Sequence, residues 1–183
     1  MIEPKRDDEF VIVANGMLGY GFREQSLHDA IEAGVDLVAV DAGSSDPGPY
    51  YLGSGAPFVG DDMTCRDLKL LVKGAYDAGD PLIIGSVGGA GGDVQVEHFL
   101  KLLKGVIQEL GIERKIFVVR SELNKALVRD AVLAQRVHTF ETGESLRVED
   151  VDAATHIVAQ MGCEAYFPAL RENPDIIVGG RAW

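Results

Sequence analysis

Short runs of β-branched and aliphatic residues alternate along this chain with longer stretches whose apolar positions recur every three or four residues. The runs FVIVANG (10–16), VDLVAVDAG (35–43), PLIIGSVG (81–88), KIFVVRSE (115–122) and the closing PDIIVGGRAW predict strands. Between them, 22–34, 64–79, 93–111, 124–137 and 151–162 carry the helical period. Gly34 and Gly79 are placed to end helices, and Thr64 to cap one at its start. SSDPGPYYLGSGAPFVGDD (44–62) reads as a long turn-rich loop, and HTFETGESLRVED has no regular period.

Strands that are almost wholly apolar, each separated from the next by a helix, belong in a parallel sheet covered on both faces. The expected fold is therefore α/β: a mainly parallel sheet of about five strands in a Rossmann-like or flavodoxin-like three-layer sandwich. The 183 residues suit a single domain over 1–183. Right-handed crossovers bring every strand's carboxyl end to one rim, where α/β proteins bind their ligands. The polar residues just past the strands are the candidates: Asn15, Asp41, Ser44, Asp46, Ser86, the 88–93 loop, Arg120, Glu122 and Arg181. Trp183 follows Arg181 where a strand should hand over to its next loop. The expectation is the N-terminal portion of a longer protein, or a subunit completed by another chain. Such a chain should self-associate or dock a second polypeptide through 165–183.

Charge narrows the partners. A net charge of −12 disfavours nucleic acid and anionic membrane, because phosphate binding needs clustered Lys and Arg. With 46% hydrophobic residues there is material for a core, and no apolar run is long enough for a membrane span. MIEPKRDDEF has no apolar stretch after its charges, so a cytoplasmic location is expected. Cys65 and Cys163 lie far apart with no CxxC or paired His, which predicts no metal site and two buried, inert thiols.

The loop GSVGGAGGD holds most of the candidate chemistry. Glycines between a strand and a helix let backbone amides approach an anion, and the helix N-terminus adds partial positive charge. Gly88, Gly89, Gly91 and Gly92 would form the cradle, with Asp93 as helix cap; no Lys-Ser or Lys-Thr follows to complete a nucleotide P-loop. NGMLGYGF, with Asp41 at the end of the second strand, offers an alternative dinucleotide site, although its glycine spacing is not the standard one. Asp41 and Asp46 stand beside Ser44, and Glu122 beside Arg120, in patterns suited to acid–base work and substrate binding. Arg120 and Arg181 offer bidentate recognition of a carboxylate or phosphate. His28, His98 and His156 read as helix-surface residues, which leaves His138 open.

NGMLGYGF, GVDLVAVDAGS, PLIIGSVGGAGGD and above all CEAYFPALRENPDIIVGGRA resemble the N-terminal part of the acyclic terpene utilisation (AtuA) family. The resemblance runs in order along the whole chain. It implies an α/β fold, a longer protein and a role in bacterial or archaeal catabolism. Together these readings lead to an enzyme domain of lyase, hydratase or hydrolase type acting on a small anionic or acyl substrate. Asp41 would transfer the proton, with Asp46 and Glu122 as further acids. Asn15, Ser44, Ser86, Arg120, Arg181 and the glycine amides would bind, and the cofactor is left open. The rivals are a non-catalytic assembly module, as a homo-oligomer or with a second polypeptide, and a dinucleotide-binding domain.

Overall fold

Five strands form one sheet in the order β1-β2-β3-β5-β4, every neighbouring pair parallel: β1 (Ile12–Met17), β2 (Leu37–Gly43), β3 (Leu82–Gly89), β4 (Ile116–Val119) and β5 (Ile176–Gly179). The structure is a computed structural model and describes residues 12–43 and 49–182. The helices are α1 (Glu24–Ala33), α2 (Pro49–Ser54), α3 (Asp61–Ala78), α4 (Asp93–Leu110), α5 (Lys125–Leu133), α6 (Val148–Ala153) and α7 (Phe167–Arg171). A 3-10 turn over Cys163–Tyr166 precedes α7.

Strand order and crossover handedness place the layers. The chain steps in one direction from β1 to β4, so α1, α3 and α4 cover the same face, α1 against α3 and α3 against α4. Only the return from β4 to β5 crosses on the other face, where α7 packs on β4. The main core lies under the first set. Val38, Leu68, Leu71, Leu82, Ile84, Val96, Phe99, Leu103 and Ile176 belong to a single buried cluster. Each large aliphatic side chain there contributes about 1.5–3 kcal/mol of burial. A smaller cluster of Val128, Val132 and Val151 holds α5 to α6. Among the described residues, no helix is long and apolar enough to cross a membrane.

Several local expectations change in the folded chain. Thr64 is not a cap: α3 begins at Asp61, after Gly60, and Thr64 is buried within it. Asp61 and Asp62 in the first turn favour that earlier start through the helix dipole. The turn-rich loop contains α2, and the approach to β5 contains α7. The helix expected over 151–162 stops at Ala153. Beyond it the chain is extended, because Leu123 donates to the Ile157 carbonyl and Ala159 to that of Ser121. A partner strand overrides a weak helical preference. Cys65 is half-buried and Cys163 exposed, so the second thiol is not a core residue.

Candidate functional site

Both glycine-rich loops close on acids of the protein itself. After β1, the amides of Gly19 and Gly21 donate to Asp67 Oδ2 at 2.7 and 3.0 Å. Asp67 is 1% exposed, and Arg66 Nε takes its other oxygen at 2.8 Å. The amides a dinucleotide phosphate would use are thus occupied. After β3, Gly91 donates to the Val87 carbonyl, Gly92 to Gln95 Oε1 at 2.9 Å, and Asp93 to Glu122 Oε2 at 2.6 Å. At the mouth of α4, therefore, Gln95 caps in the place expected of Asp93, and Glu122 supplies the anion. Gly91 has a steric reason to lack a side chain: a Cβ there would stand 2.1 Å from the Arg181 amide nitrogen.

The outgoing connections of β3 and β4 diverge to opposite faces, and the end of β5 emerges between them. Ser121 locks that crevice. Its Oγ donates to the Gly91 carbonyl at 2.9 Å and accepts from the Arg181 amide at 2.7 Å. Arg181 Nη1 reaches back to the Gly89 carbonyl at 3.2 Å, which braces the glycine loop. Ser86 is buried at a positive φ of 51°, and its Oγ both accepts from and donates to the Ala182 backbone. Gly88 accepts from Phe58 and fixes the loop before α3. Arg120 points to the surface, paired with Asp93 at 3.0 Å and with Glu97.

On the sheet face opposite α3 and α4, the register makes a floor of small residues. Asp41 pairs with Gly85, while Gly179 pairs with Val119 on the far side of β5. Tyr166, from the 3-10 turn, lays its hydroxyl over this floor. Its Oη is 2.0 Å from where a Cβ of Gly179 would be, and 3.9 Å from one at Gly85. The hydroxyl is shut from solvent and has no hydrogen-bond partner among the described residues. Burial, with the charge of Asp41 beside it, pushes the phenol above its ordinary value. Asp41 itself is exposed and accepts from its own loop at Gly43 N, 2.9 Å away. Asp41 is thus an acceptor near the Tyr166 hydroxyl, a donor that no described residue uses.

A second pair lies at the end of β4. His156 Nδ1 sits 2.6 Å from Glu122 Oε1, the two side chains 23% and 19% exposed. Partial burial would raise the Glu122 carboxyl, but His156 and the Asp93 amide together outweigh it and hold it below the usual value. His156 reads as a helix-surface residue in sequence and stands instead in the extended strap after α6. Neither it nor Tyr166 carries a local signal. Each is brought to the rim by one strap, which pairs with Glu122 at Val158 and with Ala182 at Met161.

Ser44 and Asp46 lie outside the described residues, as does the side chain of Asn15. His138 is exposed in a hairpin with Ser145. Among the described residues, one trio of close metal-type donors occurs, His28, Asp29 and Glu32; it is exposed on α1, and Gln25 already donates to Asp29. No protein-family model matches the chain, and no curated protein matches it.

Proposed function

We propose that the chain is a cytoplasmic enzyme domain that transfers a proton to or from a small carboxylate or acyl substrate at the carboxyl rim of its sheet. The observation that carries this reading is the buried hydroxyl of Tyr166 above Gly85 and Gly179, beside Asp41, with no partner among the described residues. Leaving such a group unpaired costs about 1–3 kcal/mol, a cost a binding site recovers when a ligand oxygen arrives. With its phenol pushed up, Tyr166 remains a donor at neutral pH. Asp41 takes the proton next to a carbonyl, and Tyr166 hydrogen-bonds the oxygen on which charge develops. Tyr166 rather than the glycine loop serves the oxyanion, since the amides of Gly91, Gly92 and Asp93 are engaged. This is chemistry of the lyase and hydratase kind.

The test is exchange of α-protons for deuterium, followed by NMR in D2O with a panel of small 2-oxo acids and acyl thioesters. The wild-type chain should wash deuterium into at least one of them. Asp41→Asn should lower that rate about 100-fold or more, and Tyr166→Phe about 10-fold or more. No exchange across the panel, or exchange untouched by both substitutions, overturns the proposal.

One observation favours assembly as a second reading. On the Tyr166 face Leu37 and Ala39 of β2 and Ile83 of the neighbouring β3 are only half-buried, while the main helix contacts of β1 and β2 come from α1 and α3 on the other face. Phe167 and Leu170 of α7 are exposed as well. A second copy of the chain would cover such a face.

A further inference from the structure

We infer that Glu122 and His156 form a second proton-transfer site at the rim, a carboxylate-oriented general base that activates water against an acyl ester or thioester. Glu122 is held at both oxygens, by the Asp93 amide at 2.6 Å and by His156 Nδ1 at 2.6 Å. An ionised carboxylate against Nδ1 favours the proton on that nitrogen, so the neutral imidazole keeps its lone pair on Nε2. Among the described residues none hydrogen-bonds Nε2, and the side chain is 23% exposed, so the lone pair is open to water or a ligand. The strap's backbone already joins it to Ser121 and Leu123, so the imidazole is not needed to hold it in place. The lowered Glu122 carboxyl agrees with an ionised partner. The charged groups on neighbouring elements, Asp93, Glu97 and Arg120, are paired among themselves.

In the step, the water oxygen bonds to the acyl carbon as its proton moves to His156 Nε2. When the C–O or C–S bond then breaks, the departing alkoxide or thiolate takes that proton, giving a carboxylic acid and an alcohol or thiol. His156 is the general base in direct contact with the water, and Glu122 its positioning residue.

The whole chain is tested with p-nitrophenyl acetate, and the imidazole by 15N NMR. His156→Gln should lower protein-catalysed hydrolysis about 10-fold or more, and Glu122→Gln should lower it too. The exposed His28→Gln variant should hydrolyse at the wild-type rate. In the wild-type protein near neutral pH, His156 should carry its proton on Nδ1, and Glu122→Gln should abolish that preference. Hydrolysis unchanged by His156→Gln, or a proton found on Nε2 in the wild type, overturns the inference. The outcome is independent of the Asp41 and Tyr166 site, because ester hydrolysis and α-proton exchange are read separately.

Discussion

The hydroxyl of Tyr166 fills the space that a side chain at Gly179 would need, 2.0 Å from the position of its Cβ. The fold thus reserves a glycine in β5 for a polar atom that no described residue hydrogen-bonds.

Tyr166→Phe should therefore separate stability from function. Removing the orphan hydroxyl leaves the ring's packing intact and should be neutral or stabilising by up to about 1 kcal/mol in urea unfolding, while α-proton exchange falls. A loss of more than about 1 kcal/mol would mean that the hydroxyl has a partner in the free protein.

Glu122 predicts a pH dependence. Its folded carboxyl titrates below the ordinary 4.5. Its contribution is full above that value and disappears as the pH falls through the lowered one. The urea midpoints of wild type and Glu122→Gln should differ at pH 7 and converge as the solution is acidified. A difference that stays constant down to pH about 3 would show that Glu122 is not perturbed in this direction.

Asp67 should matter more than any surface acid. Asp67→Ala leaves the amides of Gly19 and Gly21 without their acceptor inside the fold and should cost roughly 3 kcal/mol in urea unfolding. The exposed Asp77→Ala is the comparison and should cost under about 1 kcal/mol.

Two glycines with similar backbones should respond differently to alanine. Gly79 has φ +78° and nothing within 4 Å of a Cβ, so Gly79→Ala should cost about 1–2 kcal/mol for left-handed strain alone. Gly91 has φ +69° and the Arg181 amide 2.1 Å away, so Gly91→Ala adds a backbone clash and should cost more than about 3 kcal/mol or prevent folding. Equal melting temperatures for the two variants would contradict the packing of the glycine loop against the end of β5.

If the half-covered face is an interface between copies, sedimentation at micromolar concentration should show self-association. Ile83→Lys should weaken it, because Ile83 lies half-buried on that face. A wild-type monomer at that concentration would remove the assembly reading.

The sequence by itself determined the alternation of strands and helices and the parallel sheet, because burial on both faces writes continuous apolar runs such as Leu82–Ile84 into neighbouring residues. It also marked Gly79 as a helix end and the strand termini as the polar rim, since those are local backbone requirements. What the glycine loops hold was decided by tertiary structure. Asp67 lies far along the chain from Gly19, and Glu122 from Asp93, yet each acid lands on the other segment's amides. An empty anion cradle and one filled by the protein's own carboxylate have the same local pattern. The fold likewise drew the strap after Ala153 out of its helical period by pairing it with Ser121 and Leu123. That pairing sets His156 on Glu122, and the same strap leads to Tyr166 above Gly179. Such meetings depend on strand order and crossover direction, which bring distant residues to one rim without leaving a mark on the residues beside them.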